Sequence, residues 1–70
     1  MNNYIVFATK RNKTNGARKY LIVDLITRVY AIEPSRMCYS KEELIEIKSA
    51  DRRKLIYNLN MAKFSEVDNL

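Results

Sequence analysis

Two short runs dense in β-branched and aromatic residues, YIVFAT at 4–9 and YLIVDLI at 20–26, flank the chain's single glycine, which sits in the dipeptide Asn15-Gly16. Such side chains fit the pleated surface of a strand, and two runs of them separated by turn residues read as a hairpin. Asn-Gly is the favoured centre of a two-residue type I′ turn, because both central positions need positive φ. No other feature constrains the fold as strongly, since a reversal at this pair decides which residues face one another.

A two-residue turn at 15–16 puts residues opposite each other when their numbers sum to 31. One face then pairs Val6 with Leu25, Ala8 with Val23 and Lys10 with Leu21. It is nearly all apolar and is expected to face the core. The other face pairs Ile5 with Ile26, Phe7 with Asp24, Thr9 with Ile22, Arg11 with Tyr20 and Lys13 with Arg18, a mixed set expected to lie outside.

A second reversal is expected at DLITR, 24–28, because an unbroken strand over 20–32 would far exceed the usual length of about five or six residues. RVYAIE, 28–33, becomes a third strand, ended by Pro34 and Ser35, since proline cannot donate to a ladder. Ser40 to Glu43 match a capping box, which predicts a helix carrying Leu44, Ile45 and Ile47. Ser49 then caps a second helix with Asp51 in its first turn. Leu55, Ile56, Leu59, Met61, Ala62 and Val67 give that helix an apolar stripe, with Lys54, Asn58 and Lys63 off it.

The fold class expected is therefore α+β: a three-stranded antiparallel β-meander followed by two α-helices packed on one face. The chain reads as a single small domain over 1–70, with the meander at 4–33 and the helical part at 40–66. In element order, and in its basic hairpin, it resembles the small three-strands-then-helix arm domains of some integrases. That resemblance implies DNA contact through the sheet.

The net charge is +5, and all of it is local: residues 1–30 carry six Lys and Arg against one Asp, whereas residues 31–70 carry seven of each sign. Charge concentrated in this way creates a positive potential that attracts phosphates or an acidic protein surface. Lys10, Arg11, Lys13, Arg18 and Lys19 surround the turn, and Tyr20 follows them as a ring able to stack on a base beside Arg11. These six residues are the candidate nucleic-acid-binding set. Directly opposed Lys13 and Arg18 would repel, a strain that an anionic partner would relieve. Arg52, Arg53 and Lys54 form a secondary basic patch at the start of the second helix.

The chain has no histidine, which removes the commonest general base and metal ligand. Glu42, Glu43 and Glu46 suit a solvated helix N-terminus better than a catalytic pair. A lone glycine excludes the multi-glycine phosphate loops. Cys38, the single cysteine, reads as a partly buried thiol and permits neither an intramolecular disulfide nor a thiolate zinc site. No enzyme, metal or cofactor is expected. No basic region precedes the short apolar run at 4–9, so neither a signal peptide nor a membrane span is expected, and with a single cysteine a cytoplasmic location is expected.

The function expected is a small non-enzymatic module that contacts nucleic-acid phosphates, DNA or RNA, through the 10–19 hairpin. Two alternatives stay open. One is an adaptor or inhibitor of phage or mobile-element type that binds a host protein, with Ile5, Phe7 and Ile22 as an exposed apolar interface. The other is a subunit of a small homo-oligomer, such as a homodimer.

Overall fold

The computed structural model describes residues 4–32 and 39–70. Three strands, β1 (Tyr4–Thr9), β2 (Tyr20–Asp24) and β3 (Val29–Ala31), pair antiparallel in chain order. They are the centre of a larger sheet. β4 (Ile45–Ile47) lies parallel to β1 and β5 (Ser65–Val67) parallel to β3, giving the order β4-β1-β2-β3-β5. One helix, α1 (Ser49–Met61), links the two edges. Among the described residues the architecture is thus a five-stranded mixed sheet with one α-helix, which corrects the expected three-stranded meander with two helices, and with it the three-strands-then-helix order. Cys38, Pro34 and Ser35 lie outside the described residues.

The expected first helix fails for a local reason. The Ser40–Glu43 box forms, with the Ser40 N–H and hydroxyl both donating to the Glu43 carboxylate, at 3.2 and 2.8 Å. It closes only a 3₁₀ turn, Lys41–Glu43. Leu44 is already extended at ψ 160°, and Ile45 and Ile47 then alternate with period two, the pattern of a strand. Their backbone meets an otherwise unpaired edge of β1, where a ladder replaces the exposed N–H and C=O groups. Residues 65–67, read from sequence as the tail of the helical stripe, do the same for β3.

Register is the second correction. Facing residues of β1 and β2 sum to 28, as in Phe7 opposite Leu21 and Ala8 opposite Tyr20. The loop tip has four residues rather than two: the Asn12 N–H donates to the Ala17 carbonyl at 2.6 Å and the Gly16 N–H to the Asn12 carbonyl at 2.8 Å. Gly16 closes this turn at φ 70°, in the left-handed region that glycine tolerates. Between this closure and the bond from the Thr9 N–H to the Lys19 carbonyl, two residues on the first side, Lys10 and Arg11, stand against one on the second, Arg18, which makes a bulge. The Lys19 N–H returns to the Thr9 hydroxyl at 2.9 Å. A slip by an odd number swaps faces.

Both faces of the sheet are therefore apolar, and both are covered. Leu21, Val23 and Tyr30 pack with Phe7 under Leu55, Ile56 and Leu59 of α1 and with Phe64. On the opposite face Val6, Ala8, Tyr20 and Ile22 pack with Tyr39, Leu44 and Leu70. β2 is buried along its whole length, as a central strand requires. The fully buried Leu21 and Ile22 each contribute about 2 kcal/mol of transfer free energy.

The turn at 24–28 repeats the construction of the first loop without a glycine. Asp24 Oδ1 accepts the N–H groups of Ile26 and Thr27, the Arg28 N–H donates to the Asp24 carbonyl at 3.0 Å, and Arg28 takes φ 61°. α1 ends in a Schellman motif: the Phe64 N–H donates to Leu59 and the Lys63 N–H to Asn60, with Lys63 at φ 68°.

Left-handed backbone strains a side chain bearing Cβ, so Lys63→Gly should raise the unfolding free energy by about 0.5–1 kcal/mol in a denaturant titration. An unchanged midpoint would show that Lys63 carries no strain. The Thr27 and Ile26 N–H bonds hold the Asp24 carboxyl below its ordinary range. Asp24 therefore stabilises the fold above its unfolded pKa, near about 4, and this is lost as pH falls through the lower folded value. Asp24→Asn keeps the acceptor and removes the titration, so its stability deficit should shrink between about pH 5 and about pH 2.

Candidate functional site

The stripe of α1 that faces the sheet is Arg52, Leu55, Ile56 and Leu59, spaced i, i+3, i+4 and i+7. A cation thus stands where the helix periodicity asks for an apolar residue. Arg52 is 8 % exposed, and its Nη2 donates to the Tyr20 carbonyl at 3.2 Å. Burial pulls its pKa below the ordinary value, although a guanidinium keeps its charge at neutral pH. Its Nε has no hydrogen-bond partner.

Arg18, two residues ahead of β2, is buried as well, at 9 % exposure. Its Nη2 lies 3.9 Å from Glu46 Oε2 on β4, a long contact to a half-exposed carboxylate. The Arg18 Nε also lacks a partner. Arg18 and Arg52, distant in sequence, line one cleft of about 790 Å³ together with Lys10, Lys19, Asn12 and Asn15. Ser49, the first residue of α1, also lines it, and among the described residues no acidic one does. The N-cap of α1 is Lys48 rather than the expected Ser49, and no side chain caps the helix start. That end keeps N–H groups without intrahelical partners and the positive pole of the helix dipole.

The remaining hairpin residues divide by exposure. Lys10, Arg11, Lys13 and Lys19 are exposed, and Arg11 donates to the Gly16 carbonyl at 3.0 Å across its own loop. Asn12 Oδ1 accepts the Thr14 N–H and Asn15 Oδ1 the Ala17 N–H, so side chains hold the loop that carries these cations. Lys13 is not opposite Arg18, because the loop tip spans residues 13–16, and the repulsion expected between them does not arise. Tyr20 is 0 % exposed, with its ring 5.5 Å from that of Tyr39, which leaves it no face on which to stack a base.

The expected apolar interface does not assemble either. Phe7 packs on the helix side and is half-buried, Ile5 is likewise half-buried, and Ile22 is buried on the other side of the sheet. The second basic patch splits: Arg52 turns inward, whereas Arg53 and Lys54 are exposed. Joining Arg52 to the hairpin is what sequence reading missed. The signal was there, since Arg52 lies three, four and seven residues before Leu55, Ile56 and Leu59.

Among the described residues no group of three or more His, Cys, Asp or Glu is placed to hold a metal ion. No described helix is long and apolar enough to cross a membrane. No protein-family model matches the chain, and neither a curated protein nor a solved structure matches it.

The two loop cations differ sharply in environment, so charge reversal should separate them. Lys13→Glu should leave stability within about 0.5 kcal/mol, as exposed substitutions do. Arg18→Glu, which puts a carboxylate into a buried position beside Glu46, should cost about 3 kcal/mol or more. Equal melting temperatures for the two variants would contradict the burial of Arg18.

Proposed function

We propose that the protein is a small non-enzymatic binding module that holds nucleic-acid phosphates with the basic loop 10–19. One observation carries this reading: Lys10, Arg11, Lys13 and Lys19 are all exposed on one loop, and Lys10 and Lys19 line a cleft that, among the described residues, no acidic side chain lines. Exposed ammonium and guanidinium groups bind a polyanion by displacing its condensed counterions, which needs no base-specific contact. The side-chain bonds of Asn12 and Asn15 limit the conformational entropy lost when the loop engages a strand. With Tyr20 in the core, recognition rests on phosphates rather than on stacking.

A protein partner with an acidic surface would be steered by the same cations. The reading favours nucleic acid because the apolar half of the protein interface is lost with the burial of Ile22.

Four exposed cations correspond to a log-log salt slope of at most about −3.6 on duplex DNA and about −2.8 on a single strand. Fluorescence anisotropy with labelled duplex and single-stranded oligonucleotides at about 50 and about 200 mM salt measures it. Lys13→Ala combined with Lys19→Ala should lower the duplex slope by about 2 units, and a slope that stays unchanged would remove the loop from the interface.

A further inference from the structure

We infer that the cleft at the start of α1 is a receptor for a phosphate monoester, clamped between Arg18 and Arg52. The group is either the phosphorylated end of a strand or the phosphate of a free nucleotide. This deepens the reading above by naming what the loop presents its cleft to, and it rests on that reading only for the strand as the source of the phosphate.

Arg18 and Arg52 are each more than nine-tenths buried, each lines the cleft, and each has an Nε without a partner. A buried guanidinium charge costs stability unless an anion compensates it, and because each Nε is shut off from solvent, an anion in the cleft meets the Nη groups. Arg52 uses Nη2 on the Tyr20 carbonyl, and the 3.9 Å approach of Glu46 to Arg18 is longer than a hydrogen bond. Guanidinium donors form a planar fork matched to two oxygens of one phosphate. Lys10 and Lys19 bring two further cations to the same cleft. At Ser49 the thirteen-residue helix α1 adds its uncapped N-terminus, a natural anion site once the buried guanidinium groups are beside it.

Charge and size select the monoester. A phosphodiester carries one negative charge on two non-bridging oxygens, whereas a monoester near neutral pH carries about −1.5 to −2 on three. Two buried guanidinium groups, two ammonium groups and a helix start together match the larger charge. A cleft of about 790 Å³ is in the range of small-molecule sites, with room for the sugar and base attached to the phosphate. Arg11 and Lys13 do not line it and are left to the neighbouring backbone. Glu46 approaches Arg18 and competes for it.

The test compares short labelled oligonucleotides that are identical except for a 5′-phosphate, a 3′-phosphate or hydroxyl groups at both ends. It adds melting-temperature shifts with a nucleoside monophosphate, its nucleoside and inorganic phosphate. One phosphorylated end should bind at least about tenfold more tightly than the hydroxyl strand, and the nucleoside monophosphate should raise the melting temperature where the nucleoside does not. Arg52→Met, an apolar side chain of similar length, should abolish the preference without lowering the ligand-free melting temperature. Glu46→Gln should strengthen binding by releasing Arg18, and it decides the matter if Arg52→Met proves less stable than the parent chain.

The arms fail separately. Salt-dependent binding with no end preference, and no shift from the monophosphate, overturns the receptor and leaves the loop reading standing. A shift from the monophosphate with no oligonucleotide bound supports the receptor and overturns the strand. No binding in either arm overturns both.

Discussion

The pairing of β1 with β2 fixes everything else in this molecule. A four-residue tip and one bulged residue set the facing numbers to sum to 28, and that sum decides which side chains share a face. Tyr20 and Ile22 go to one side, Leu21 and Val23 to the other, and neither side is polar. An antiparallel sheet with one wet face needs a single cover, but a sheet apolar on both faces needs two. α1 supplies one, and Tyr39, Leu44 and Leu70 contribute to the other. The two extra strands are a consequence of how the chain makes these crossings, since each arrives beside an edge with unpaired backbone.

The turns are joined to one another as well as to the sheet. Arg28, held left-handed at the end of the Asp24 turn, places its guanidinium 4.9 Å from the centre of the Phe64 ring. Its Nη2 donates to the Ala62 carbonyl at 2.6 Å, and its own carbonyl accepts the Ser65 N–H at 3.1 Å. One residue thus ties the β2–β3 turn to the end of α1 and to the start of β5. The Tyr30 hydroxyl donates to Asn60 at 2.7 Å and fixes the same helix end to β3. The side-chain contacts give a physical reason for an arginine where backbone geometry alone would favour glycine: the cation–π contact and the Nη2 hydrogen bond offset a cost of about 1–3 kcal/mol.

Two buried arginines in a chain of 70 residues are a liability for a domain that buries only about 60% of its unfolded surface. Apolar replacements of similar volume are often neutral or stabilising at such positions. Keeping Arg18 and Arg52 therefore has a physical sense when they meet an anion, the recurrent exchange of stability for binding. Their common cleft also gives one account of two basic segments that lie far apart in the sequence.

The sequence by itself determined the strands at 4–9 and 20–26, the second of which ends at Asp24, the reversal at 24–28, the capping box at Ser40 and Glu43, and a helix beginning near Ser49. Each of these rests on contacts between residues a few positions apart, and local chemistry is written in local order. The Asn15-Gly16 signal marked the loop correctly but not its length, because a two-residue and a four-residue turn both use a left-handed glycine. Only tertiary structure decided the register, the burial of Arg18 and Tyr20, the strands at 45–47 and 65–67, and the meeting of Arg52 with the hairpin cations. The alternation in a three-residue strand is too short to be told from part of a helix, and such strands form where an edge waits for them. An arginine on an apolar stripe is legible as a pattern, but what its charge faces is settled by the element packed against it.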